Sequence, residues 1–80
     1  MREEIFTSLN EIFRDLFDDD GITLSDDTTA ADIDGWDSLE HVNLIVMVEK
    51  RFSVKFSMDE ILSLKSVGDM ADLIMRKTGA

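Results

Sequence analysis

Residues 5–21, "IFTSLNEIFRDLFDDDG", decide the fold class. Ile5, Phe6, Leu9, Ile12, Phe13, Leu16 and Phe17 recur at steps of three with adjacent pairs, the period of a helix with one apolar face. Asp18, Asp19 and Asp20 then stop it, because the helix macrodipole leaves a C-terminus negative and carboxylates suit it poorly. Gly21 is expected to supply the left-handed exit at little steric cost.

Outward from this helix, residues 22–37 carry Thr, Ser and Asp with scattered apolar residues, Ile22, Leu24, Ile33 and Trp36. They read as a long ordered loop tacked onto the core by those apolars. A loop of that length in a small domain is functional or contains a short helix. A second helix is expected from about Ser38 to Phe52, with Leu39, Val42, Ile45, Val48 and Phe52 lining its inner face. Leu44, Val46 and Met47 broaden that apolar surface. The alternation in "FSVKF" (52–56) is isolated and short, so it reads as a connection. "SMDE" at 57–60 is a Ser-x-x-Glu capping box opening a short helix through Ile61, Leu62 and Leu64. "SVGD" at 66–69 opens a last helix with Val67, Met70, Ala71, Leu73 and Ile74 inward. Arg76 and Lys77 fall in its last turn, where the dipole favours cations, ahead of Gly79. Proline is absent and no strand alternation is sustained. The expected class is all-α, a small helical bundle with a long first loop.

Composition narrows the chemistry. Eighty residues make one domain, 1–80, near the lower limit of what folds without a staple. With no Cys there is no disulfide, thiol nucleophile or thiolate metal site, and a single histidine, His41, excludes a multi-histidine metal site. Eighteen acidic residues against 8 basic give a formal net charge of -10. Such a surface has nothing to neutralise phosphates and argues against nucleic acid. It suits partners with basic docking patches, which it attracts at long range. No apolar run approaches a membrane span, and "MREEIFTSLNEIF" lacks the apolar core of a signal peptide. A cytoplasmic protein is the expectation.

Three constellations invite a chemical reading. Aligning Gly21 to position 6 of a calcium loop puts Asp18 at position 3 and Asp20 at position 5. Leu16 then falls at position 1 and Asp27 at position 12, where an acidic ligand and a bidentate Glu are needed, so no metal site is expected. His41 stands three residues after Ser38 on the same side of the helix. A nucleophilic pair also needs an orienting group and an oxyanion hole, and Asp37 and Glu40 are too close along one turn to build them. His41 therefore reads as an exposed histidine, Trp36 as a loop anchor, and Gly35 as a source of backbone freedom at the turn.

The third constellation is "DGWDSLEHV" (34–42). A serine where a loop becomes a helix is ordinarily an N-cap. Its hydroxyl at a positively polarised helix start is also a natural seat for a phosphate ester, and Asp32, Asp34, Asp37 and Glu40 crowd around it. Spacing alone leaves the N-cap reading ahead.

Over nearly its whole length the chain resembles the acyl carrier protein family. The resemblance rests on Asp37-Ser38-Leu39, the acidic composition, the long preceding loop, the apolar helix ending "EKRFSVKF", the short capped helix and the closing "SVGDMADLI". It implies a four-helix bundle with a short third helix. It also implies a 4′-phosphopantetheine arm carried on Ser38 within the motif Asp37-Ser38-Leu39, delivered from coenzyme A by a phosphopantetheinyl transferase. The arm would supply the thiol that this Cys-free chain lacks, so acyl groups ride as thioesters between acyl-loading and acyl-transferring enzymes. The protein itself is then not an enzyme. By resemblance the docking surface comprises Leu39, Glu40, Val46, Met47 and Glu49, joined by Asp59 and Glu60, on a monomer. Asn43, Lys50 and Arg51 make the second helix less acidic than in fatty-acid-synthesis carriers, and Trp36 precedes the motif. Both point to a specialised lipid, polyketide or secondary-metabolite pathway. An aminoacyl, peptidyl or D-alanyl carrier is the nearest alternative, although "GWDS" lacks the doubled glycine of peptidyl carriers. An unmodified acidic interaction module is the alternative of another class.

Overall fold

Four helices follow in chain order in a computed structural model that describes residues 2–79. They are α1 (Arg2–Leu16), α2 (Ser38–Phe52), α3 (Met58–Ser63) and α4 (Val67–Thr78), with a 3₁₀ turn at Ala30–Asp32 inside the long loop. No strand occurs among the described residues, and residues 53–56 of the "FSVKF" stretch are a connection. No helix among the described residues is long and apolar enough to cross a membrane.

The first helix buries Ile5, Leu9, Ile12 and Phe13, as its period requires, and packs against both α2 and α4. Its exit corrects the sequence expectation: Asp18, at φ 52°, takes the left-handed conformation, and Gly21 does not. The Asp19 N–H reaches back to the Arg14 carbonyl at 3.0 Å, closing the last turn around Asp18. Aspartate is one of the few side chains that tolerate this region. Gly21 instead donates its N–H to Asp19 Oδ1 at 2.9 Å.

The inner face of α2 is a second correction. Leu44, Ile45 and Val48 are buried, whereas Leu39 and Val42 are 71% and 56% exposed. An i, i+1, i+4 stripe faces α1 and the core, and Leu39 lies on the opposite side of the helix. The other two helices follow their local signals. Ser57 caps α3 with its reciprocal Glu60 bond. Ser66 caps α4, whose Val67, Met70, Ala71, Leu73 and Ile74 point inward, and Gly79 closes it at φ 75°.

The long loop is held by more than its apolars. Ile22 and Leu24 enter the core, and Thr28 is buried with its hydroxyl accepting the Ser25 N–H at 2.9 Å. Asn10 of α1 accepts the Leu24 N–H at 2.8 Å, and Arg14 Nε donates to the Ile22 carbonyl at 2.7 Å. The start of α4 also docks here: the Val67 and Gly68 N–H groups donate to the carbonyls of Thr28 (2.8 Å) and Asp26 (3.0 Å). Two of the orphan donors of that helix start are thus satisfied by loop backbone. Arg2 adds ion pairs to Asp26 and Asp72, joining α1, the loop and α4. The first half of the loop, residues 22–28, is thereby held to α1 and α4.

Candidate functional site

The start of α2 is built by three consecutive residues with different tasks. Gly35 turns the chain at φ 88°, a conformation that side chains disfavour, and its carbonyl accepts the Asp37 N–H at 3.0 Å. Trp36 folds back onto α1, edge-on to Phe13 with ring centroids 5.1 Å apart and 6.5 Å from Phe17. It is the loop anchor expected from sequence. Asp37 is the N-cap of α2, its Oδ1 accepting the Glu40 N–H at 2.9 Å.

Ser38 is therefore the first residue of the helix and not its cap, which corrects the N-cap reading. Among the described residues, none forms a hydrogen bond with its hydroxyl. The side chain is exposed at the end of a helix whose N–H groups leave it partly positive. The capping task falls to its neighbour, so the hydroxyl is free of any structural duty.

The neighbouring His41 also departs from expectation. It is neither fully exposed nor paired with Ser38. The ring is half-buried, nearly parallel to that of Trp36 (25°, centroids 5.9 Å), with Nδ1 accepting the indole N–H at 3.1 Å. Its Nε2 lies 3.3 Å from the Ile61 carbonyl of α3. No catalytic geometry links Ser38 and His41.

Beside the serine lies an open cleft of about 510 Å³ between the loop end, α2 and α3. Its walls are mainly apolar, including Val42, Met58, Ile61 and Leu64, with Asp37, Ser38, His41 and Lys65 at its polar positions. Val42, Met58 and Leu62 are among the most exposed apolar side chains of the molecule.

The other residues singled out from sequence are not gathered into one patch of equal character. Leu39 and Val46 are exposed on α2, and Met47 is half-buried against the core. Glu40 accepts from the Asn43 amide at 2.9 Å. Glu49 is turned to internal use, its Oε2 accepting the Phe56 N–H at 2.8 Å. On α3, Asp59 is exposed, while Glu60 accepts the Ser57 N–H at 2.8 Å and pairs with Lys77 of α4 at 2.9 Å. The Ser57 backbone bond, and then Lys77, hold the Glu60 carboxyl below the ordinary glutamate range. No cluster of metal-ligating side chains is present among the described residues.

Two contributors to the site escaped sequence reading. Asp37 precedes Glu40 by three residues, the same spacing as Ser57 and Glu60, so its capping was in principle legible. The Trp36–His41 pair had no signal beyond a five-residue separation across the loop–helix junction.

Comparison with known proteins gives a consistent result. The family model described as "phosphopantetheine attachment site" matches residues 7–74. The acyl carrier protein of Acidothermus cellulolyticus is 38% identical over 80 residues, covering 96% of this chain and 92% of that protein. The acyl carrier protein of a Picosynechococcus species is 32% identical over 81 residues, covering 100% and 99%. Among solved structures, the holo acyl carrier protein of Geobacter metallireducens, determined by solution NMR, superposes with a TM-score of 0.87. It is 50% identical and covers 92% of this chain and 85% of that one.

Proposed function

The chain belongs to the acyl carrier protein family, and from that premise we propose that Ser38 is the residue on which it carries covalent 4′-phosphopantetheine. The family's members are carriers and not enzymes, and phosphopantetheine is their covalent cofactor. The observation that carries the assignment is the free Ser38 hydroxyl at the positive start of α2, relieved of capping by Asp37.

The residues around Ser38 fit the group. A phosphodiester on Ser38 Oγ would sit where the helix end favours an anion. The cleft beneath gives the arm an apolar bed along Val42, Met58 and Ile61. The cofactor supplies a thiol for thioester linkage, which the chain cannot, having no Cys. Asp37 orients the serine by fixing the first turn, and Leu39 extends from that turn into solvent. A phosphopantetheinyl transferase and acyl-loading and acyl-transferring enzymes with basic patches are its partners. We assign their docking to Leu39, Glu40, Val46, Met47, Glu49, Asp59 and Glu60. The exposure of Leu39 and Val46 supports the apolar part of that surface.

The pathway is a specialised lipid, polyketide or secondary-metabolite one. The support is on α2 itself: its second half carries Lys50 and Arg51, so the helix does not present one uniform acidic stripe. We read residues 1–80 as one carrier domain acting as a monomer in the cytoplasm, the family match at 7–74 spanning most of it.

The test is direct. Incubation with coenzyme A and a broad-tolerance phosphopantetheinyl transferase, followed by intact mass, should add one phosphopantetheine to the wild type and none to Ser38→Ala. No gain in the wild type, or an equal gain in the variant, overturns the assignment. Weighing the cargo trapped on the protein in cells then distinguishes an acyl from an aminoacyl load.

A further inference from the structure

We propose that His41 is a positioning residue for the site. Its neutral imidazole ties Trp36 and α3 together to set the wall of the cleft beside Ser38, and protonation of Nδ1 releases that wall. The geometry fixes the working form of the ring. The indole N–H can only donate, so the Nδ1 it reaches at 3.1 Å carries a lone pair. The remaining proton of a neutral ring is then on Nε2, which donates to the Ile61 carbonyl at 3.3 Å. One imidazole thereby links the loop end, α2 and α3, and each of Trp36, His41 and Ile61 lines the cleft.

A second proton has one place to go. Taken from solvent onto Nδ1, it sets two donors face to face, and the Trp36 bond is lost while the bond to Ile61 is kept. The loop end then separates from the ring, and the wall formed by Trp36 moves. Imidazole is the side chain whose ordinary charge change falls between roughly pH 5 and 8, which sets the range over which the latch is tested. The charged groups lining the cleft around the ring are Asp37, from the start of α2, and Lys65, from the connection between α3 and α4. The near-parallel stacking on Trp36 gives the released ring a surface to slide along rather than a void.

The consequence for an arm lying in the cleft rests on the Ser38 assignment above; the latch itself does not. It is therefore tested in the unmodified protein. Trp36 and His41 are the sole tryptophan and histidine of the chain, so their NMR signals need no assignment. On lowering pH from about 8 to about 5, the Trp36 indole N–H should shift along the His41 titration curve. Its hydrogen exchange should rise at least tenfold relative to His41→Gln at the same pH. Glutamine can accept from the indole and donate to Ile61 but does not titrate, so His41→Gln should show no such transition. Trp36→Phe, which keeps an aromatic side chain but removes the donor, should reduce the coupled shifts of residues 58–65 to those expected from the His41 charge alone, while the Leu9 and Ile74 amides stay protected. An indole signal that ignores the His41 titration, or a response equal in His41→Gln, overturns the proposal. Because no cofactor is involved, these outcomes are independent of the mass test for Ser38.

Discussion

At the scale of single residues, adjacent side chains divide structure from chemistry. Asp37 holds the cap and Ser38 holds nothing, so the two should respond oppositely to truncation. Asp37→Ala removes a cap and should cost about 1 kcal/mol, a fall in Tm of about 4–8 °C for a domain of this size. Ser38→Ala should leave the melt within about 0.5 kcal/mol of wild type while abolishing modification. Thermal unfolding by circular dichroism separates them, and equal losses would return the cap to Ser38. Gly68 makes a different demand: a Cβ there would stand 2.7 Å from the Asp26 carbonyl oxygen. That atom is backbone and already accepts the Gly68 N–H, so it cannot swing aside. Gly68→Ala should destabilise by about 1–3 kcal/mol, measurable by urea titration, and an unchanged midpoint would mean that the loop yields. At 34–42 both Asp37 and Ser38 are residues that cap well, and only the Glu40 three places after Asp37 ranks one above the other. The Gly68 approach was invisible, because its partner is more than forty residues away in the chain.

At the scale of elements, legibility followed how local the deciding forces are. The Ser57 and Ser66 caps were readable because both partners lie within one turn. The inner face of α2 was read in part: Ile45 and Val48 are inward as expected, but apolar residues occupy most of its positions, and packing against α1, not periodicity, chose Leu44 over Leu39 and Val42. Six-residue α3 is the extreme case: it is far too short to hold by propensity. Its N-terminus depends on Glu60, which closes the capping box and pairs with Lys77, itself over the Phe56 ring at 5.7 Å. Glu60 binds its proton less readily in the folded than in the unfolded state. Its contribution is therefore complete above the ordinary glutamate range and is lost as pH falls through its lowered value. Measured against the intrinsic exchange rate at each pH, hydrogen exchange of α3 amides should consequently accelerate on acidification in the wild type. In Glu60→Gln it should already be fast at neutral pH and change less with acid. The same pH dependence in both proteins would assign the loss to other carboxylates.

The whole molecule carries its formal net charge of -10 on a body measuring 30 × 25 × 22 Å. At about 0.01 M salt the Debye length is about 30 Å, so every carboxylate feels every other across the full molecule; at about 0.1 M it falls to about 10 Å, and only neighbours interact. Self-repulsion of this kind opposes the compact state more than the expanded one, and a bundle this small has little stability in reserve. Among the described residues, salt-sensitive terms of opposite sign include the pairs of Arg2 with Asp26 and Asp72, Arg51 with Glu11, and Lys77 with Glu60. The first three involve side chains at least one-third exposed, where solvent screening leaves an ion pair weak. Repulsion among the unpaired acids, including Asp18–Asp20 and Asp32–Asp37, should outweigh them. The melting temperature should therefore climb with added sodium chloride, most steeply between about 0.01 and 0.1 M where the Debye length shrinks inside the molecule. Choline chloride at equal ionic strength should act alike, because the effect is screening and needs no bound cation. A flat response would mean that the few ion pairs balance the surplus. A rise confined to one cation would replace screening with a binding site.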